Sequence, residues 1–117
     1  MKRISTHILD LVLGKPAADV AVRLEKRLEQ QDKPGWRLLA AQRTDQDGRC
    51  AQLLPSGVDL AAGFYRLTFE TASYYEVLKI APLYPVIEIT FLVRDGETEF
   101  HIPVLLSPNG YTTYRGS

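Results

Sequence analysis

Short runs of alternating apolar and polar residues recur along the chain. Val20, Val22 and Leu24 alternate with Ala21, Arg23 and Glu25. Tyr65, Leu67 and Phe69 alternate with Arg66, Thr68 and Glu70, and Ile87, Ile89, Phe91 and Val93 with Glu88, Thr90 and Leu92. Successive side chains of a strand point to opposite faces, so each run predicts a strand with one buried face. Turn-forming clusters separate the runs at Gly14-Lys15-Pro16, Lys33-Pro34-Gly35, Asp47-Gly48, Pro55-Ser56-Gly57, Asp95-Gly96 and Pro108-Asn109-Gly110. Asp95-Gly96 predicts a hairpin between two strands, and Asn109-Gly110 another between the last two. Ser73-Tyr74-Tyr75-Glu76 has the S-x-x-E form of a capping box, which predicts one short helix over Thr71–Leu78, limited downstream by Pro82. Many short strands with a single helix predict an all-β sandwich.

Two stretches depart from clean alternation. Near the N-terminus Ile4, Thr6, Ile8 and Val12 fall on one face, and Ser5, His7, Leu9, Leu11 and Leu13 on the other. Late in the chain Phe100, Ile102, Val104 and Leu106 share a face, opposite His101, Pro103 and Leu105. An antiparallel sheet usually keeps one face wet and polar. Here the second face is also apolar, and one short helix cannot cover it. A second subunit is the remaining cover. Both histidines of the chain, His7 and His101, lie on that face. Imidazole titrates near pH 6.5, which suits proton transfer at neutral pH. Two histidines without a nearby cysteine or an i+4 partner are a poor zinc set.

Composition narrows the function classes. The 117 residues suffice for one domain, expected to span residues 1–117, and 45% hydrophobic content argues against a disordered chain. Fourteen basic and fourteen acidic residues cancel, which removes the main electrostatic reason to expect nucleic acid or an anionic membrane as partner. A mild asymmetry remains: ten basic and seven acidic residues up to Val58 give +3, and four and seven thereafter give −3. The lone Cys50 forms no internal disulfide, no apolar run is long enough to span a membrane, and Met1–His7 turns polar too soon for a secretory leader. A reduced cytoplasmic setting is expected.

Three groups of residues then carry a family resemblance over essentially the whole chain. Ile4-Ser5-Thr6-His7-Ile8-Leu9-Asp10, Gly14-Lys15-Pro16-Ala17 and Val20-Ala21-Val22 resemble the start of the transthyretin-like proteins. Tyr65–Glu70 and Tyr84–Glu88 match their middle, and His101–Pro108 with the terminal Tyr114-Arg115-Gly116-Ser117 their end. The terminal tetrapeptide resembles the mark of the family's 5-hydroxyisourate hydrolase branch, as opposed to its hormone carriers. The resemblance implies a transthyretin-like sandwich of two four-stranded antiparallel sheets with one short helix. It implies a homotetramer whose active sites lie at the dimer–dimer interface, lined by the sheet that holds the first and the last two strands. The implied activity is hydrolysis of 5-hydroxyisourate to 2-oxo-4-hydroxy-4-carboxy-5-ureidoimidazoline, without metal or cofactor.

Roles follow by matching positions. His7 is expected to contact substrate and handle protons near the attacking water, and His101 to act as general base, directly or through water. Arg49, after the Asp47-Gly48 turn, carries a fork of donors suited to an electron-rich ring edge and to oxyanion charge. Tyr114 is expected to bind substrate through its hydroxyl. Ser117 is expected to orient water or a histidine, through its hydroxyl or a terminal carboxylate. Arg115 either pairs with an acidic group or holds the tail. Leu9, Pro103 and Leu105 form an apolar wall, Trp36 belongs to the core, and Cys50 has no catalytic partner. The competing function is a transthyretin-like small-ligand carrier without catalysis.

Overall fold

The computed structural model of the chain describes residues 2–29 and 35–117. Its elements run β1 (Arg3–Asp10), β2 (Lys15–Pro16), β3 (Ala21–Leu28), β4 (Gly35–Arg43), β5 (Arg49–Cys50), β6 (Gly63–Glu70), α1 (Thr71–Val77), β7 (Ile87–Val93), β8 (Glu99–Ser107) and β9 (Gly110–Thr113). One sheet has the order β2-β1-β8-β9, with the two-residue β5 also paired to β1. The other has the order β4-β3-β6-β7. The sheets face each other across a core in which Ile4, Ile8, Val22, Leu24, Leu67 and Phe69 are fully buried. Phe91 of one sheet meets Phe100 of the other at 5.6 Å between ring centroids. The expected sandwich is therefore present, and the alternating residues of β3, β6 and β7 turn inward as their period of two requires.

Several local expectations are corrected. The sheets are not wholly antiparallel: β1 and β8 pair in parallel, with Ser5 opposite His101 and His7 opposite Pro103. The Asp95-Gly96 turn makes no hairpin. Glu97 N–H does bond Arg94 C=O, and Gly96 takes φ +85°, but β7 and β8 belong to different sheets, so this turn is a corner between layers. The β8–β9 hairpin is real. Its turn lies on Pro108 and Asn109, and Gly110 has no positive φ. Strand β1 stops at Asp10, so Leu11, Val12 and Leu13 lie exposed in a turn rather than on a strand face. The Lys33-Pro34 part of one turn cluster lies outside the described residues.

The helix forms where expected, but not by the expected device. Its N-cap is Glu70, without a side-chain cap; Ser73 sits inside the first turn and donates back to Glu70 C=O. The helix stops before Pro82 matters. Lys79 adopts φ +58°, its N–H bonds Glu76 C=O, and Ile80 N–H bonds Tyr75 C=O. That pair of bonds is a Schellman ending, here without the usual glycine. From this helix Tyr74 Oη donates to Asp10 Oδ2 at 2.6 Å. Asp10 Oδ1 accepts from Val12 and Leu13 N–H. A buried carboxylate is tolerated when hydrogen bonds satisfy it; the Tyr74 bond ties α1 to the end of β1, and the other two hold the turn that follows.

Candidate active site

The parallel pairing of β1 with β8 assembles the site. In neighbouring parallel strands, residues in register project to the same side, so Ser5, His7 and Leu9 share the outer face with His101, Pro103 and Leu105. The expectation that both histidines lie on one face is met. Among the described residues no layer covers this face. Leu9 and Leu105 remain half-buried on it.

Arg49 arrives from the other side of β1. β5 pairs antiparallel with β1 and sets Arg49 opposite His7. The preceding turn is tightly built. Asp45 Oδ1 accepts from Asp47 and Arg49 N–H, and Gly48 C=O accepts from Ile8 N–H at 2.8 Å. Gly48 takes φ +76°, and a Cβ there would stand 2.5 Å from Ile8 O. Only glycine fits both demands, so the Asp47-Gly48 sequence is what brings Arg49 beside His7. Among the described residues no carboxylate lies within ion-pair distance of Arg49.

A cavity of about 350 Å³ opens here. β1 contributes Arg3 and Ser5, β5 contributes Arg49, and β8 contributes Glu99, Phe100 and His101. The chain end closes it with Arg115, Gly116 and Ser117. Gly116 N–H donates to His101 C=O at 2.7 Å, so the tail runs as a one-bridge extension of the sheet. A Cβ on Gly116 would lie 2.6 Å from Cδ2 of the His101 ring. The glycine of the terminal tetrapeptide therefore lets the backbone lie directly against the imidazole. Arg115 both pairs and holds: it bonds Glu97 Oε2 at 2.9 Å and Glu99 C=O at 3.1 Å, and stacks 4.4 Å from the centroid of Phe100.

His101 is held at both edges. Its Nδ1 lies 2.8 Å from Ser5 Oγ, and its Cδ2 edge meets Gly116. Burial holds its pKa below the ordinary 6.5, and the neighbouring Arg49, His7 and Arg3 push it the same way. The ring is thus neutral at neutral pH and available to accept a proton.

The structure brings together His101, Arg49 and Ser117 in the cavity wall, with His7 immediately beside it through its Arg49 pairing. Tyr114 stands apart: 54% exposed, it lines a separate hollow with Phe91, Phe100 and Thr113. Trp36 is not core. It lies half-buried on the opposite sheet, with the Arg66 guanidinium 4.2 Å from its ring centroid. Cys50 is buried and its thiol is pushed up to about 11, mainly by burial, so it is no thiolate at neutral pH. Among the described residues no group of three or more His, Cys, Asp or Glu could hold a metal ion. Ser5, Arg3 and Glu97 were not singled out by sequence. Ser5 was findable only by pairing β1 with β8 in parallel.

A two-sheet sandwich whose open face carries two histidines and an arginine without a carboxylate partner among the described residues has close relatives. The chain belongs to the HIUase/Transthyretin family, whose model matches residues 4–116. It is 43% identical to the 5-hydroxyisourate hydrolase of Caulobacter vibrioides over 121 residues, covering all of both chains. Its fold superposes on Klebsiella pneumoniae 5-hydroxyisourate hydrolase with TM-score 0.83 and 38% identity, over all of both chains. It also matches transthyretin from Sparus aurata with TM-score 0.86 and 30% identity, over 99% of this chain and 97% of that one.

Proposed function

We propose that the chain hydrolyses 5-hydroxyisourate, opening its ring at a C–N bond to give 2-oxo-4-hydroxy-4-carboxy-5-ureidoimidazoline. The observation that carries this reading is the gathering of His7, Arg49 and a neutral His101 on one uncovered sheet face. Nδ1 of His101 is occupied by Ser5, which leaves Nε2 for chemistry. Nε2 takes a proton from water as the water oxygen attacks a ring carbonyl carbon. The Arg49 fork stabilises the oxyanion that forms. When the C–N bond breaks, the imidazolium returns its proton to the leaving ring nitrogen. The oxygen from water ends in the new carboxyl group. His7 contacts the substrate and orients the water, and Ser117 orients the water or His101 from the tail.

The working form in this reading is a homotetramer, with sites at the dimer–dimer interface. The half-buried Leu9 and Leu105 beside buried Pro103 support it, since a facing copy would dry this wall and strengthen the electrostatics inside. Tyr114, which does not line the cavity of its own chain, would meet substrate held by a neighbouring copy. The reading places a single-domain enzyme in the cytoplasm. It needs no metal, cofactor, nucleic acid or membrane, and no helix among the described residues is long and apolar enough to cross one.

The carrier reading draws on the fold match to Sparus aurata transthyretin, which is as close in TM-score but lower in identity than the match to the hydrolase. Against it stands the cavity lining, where arginines and a histidine would have to be desolvated by an apolar ligand. The test is the decay of freshly generated 5-hydroxyisourate followed by ultraviolet absorbance. Decay well above the spontaneous rate is expected. A rate equal to the spontaneous one contradicts the enzyme reading and leaves the carrier.

A further inference from the structure

A neutral imidazole has one proton and two nitrogens, and only the bare nitrogen can act as base. What sets the tautomer of His101 is therefore part of the chemistry. The groups that face it are few. Ser5 and His7 come from β1 together with Arg3, and Arg49 comes from β5. Glu99 lies on its own strand, and Arg115, Gly116 and Ser117 come from the tail. Arg115 is engaged by Glu97 and by Glu99 C=O, and Gly116 offers the ring only its backbone edge. Ser5, a residue only 5% exposed, supplies through Oγ the one hydrogen-bond partner of Nδ1 among the described residues.

We infer that Ser5 is the positioning residue for His101: its hydroxyl oxygen accepts the Nδ1 proton and so leaves Nε2 bare toward the cavity. This inference deepens the hydrolase reading and rests on it for its kinetic part. The opposite arrangement, with Ser5 donating to Nδ1, would put the proton on Nε2, and that nitrogen could not take a proton from water. The accepted bond also persists through the reaction. Once Nε2 is protonated, Nδ1–H still donates to Ser5 Oγ, now as a stronger charge-assisted bond. Gly116 against the Cδ2 edge stops the ring from turning over, so hydroxyl and glycine fix its orientation between them. Outer groups that orient a metal-bound imidazole are worth about 10–100-fold in affinity or activity, and a loss of that order is expected here.

Two readouts test this. The first is nitrogen-15 NMR of histidine in the folded protein without substrate, which reports the tautomer whatever the activity. The wild type is expected to show His101 as the Nδ1–H form, and Ser5→Ala to lose that preference. An Nε2–H wild type, or a Ser5→Ala spectrum unchanged at His101, overturns the inference. The second is kinetic. Ser5→Ala is expected to lower kcat about 10–100-fold with KM little changed. It should also move the acid limb of kcat/KM to lower pH, because the imidazolium loses a bond that favours it. Ser5→Thr, which keeps the hydroxyl, should restore both. Wild-type kcat and pH limb in Ser5→Ala, or a covalent substrate adduct on Ser5 by mass spectrometry, overturns the assignment. If the wild type itself fails to accelerate decay, the hydrolase reading falls, and the NMR result still decides the tautomer.

Discussion

The two outer faces of this sandwich handle positive charge in opposite ways. On the β4-β3-β6-β7 sheet each central arginine has a carboxylate partner. Arg23 bonds Glu70 at 2.6 Å, and Arg66 bonds Glu25 at 2.8 Å, approaches Glu88 at 3.6 Å and stacks on Trp36. Arg66 and Glu25 stand directly opposite each other in register, and Arg23–Glu70 and Arg66–Glu88 are diagonal pairs on neighbouring strands, where opposite charges support pairing. On the face that carries the histidines, Arg49 has no such partner among the described residues, and His7 and His101 stand beside it. A face that satisfies its own charges is a finished surface. A face that keeps Arg49 without a carboxylate beside a cavity is prepared for charge that arrives with, or develops on, something else.

Substitution on the histidine face sharpens that contrast most. His101→Asn and His7→Asn should each lower kcat by about 10²–10⁴, the usual span for lost acid–base catalysis, measured by single-variant progress curves. Arg49→Ala should cost about 10²–10³, as loss of an oxyanion donor does. Lysine at that position should recover only part of the loss, because the charge returns without the fork. Gly116→Ala should lower kcat by up to about 10² through displacement of the tail and the His101 ring, since small misplacements can cost that much. Its thermal midpoint should stay near that of the wild type, because the tail is peripheral to the core. The pH profile offers a milder check. Protonated His101 cannot act as base, so activity falls as pH drops through its pKa. That acid limb should lie below 6.5, because burial and the nearby cations lower it. Finally, Arg66→Ala on the other face should cost about 1 kcal/mol of stability, from its ion pairs and ring stacking, and leave kcat unchanged. Loss of activity there would break the contrast.

How much of this was legible in the chain depended on the reach of each signal. Period-two alternation gave β3, β6 and β7, because a buried face is a local constraint written into consecutive residues. It also marked the second apolar face of β1 and β8, and so put His7 and His101 together. Partnerships across long separations were illegible. Ser5 reads as filler in a strand until its bond to His101, 96 residues on, is known. Asp10 reads as surface until Tyr74, 64 residues on, reaches it. Turn chemistry misled in a definite way. Asp-Gly specifies a reversal of the chain, not whether the second strand stays in the same sheet, so the corner at Asp95-Gly96 looked like a hairpin. The S-x-x-E pattern at Ser73 likewise specifies a possible cap, but the N-cap falls on Glu70, three residues earlier, and burial of Thr71 and Tyr75 anchors the helix instead. Trp36 looked like core on hydrophobicity alone, which cannot see the guanidinium lying over it.

The most direct test of the contrast between faces is a paired progress curve on freshly generated 5-hydroxyisourate with Arg49→Ala and Arg66→Ala at equal concentration. The account predicts wild-type decay for Arg66→Ala and decay close to the spontaneous rate for Arg49→Ala. Equal rates for the two variants would contradict it.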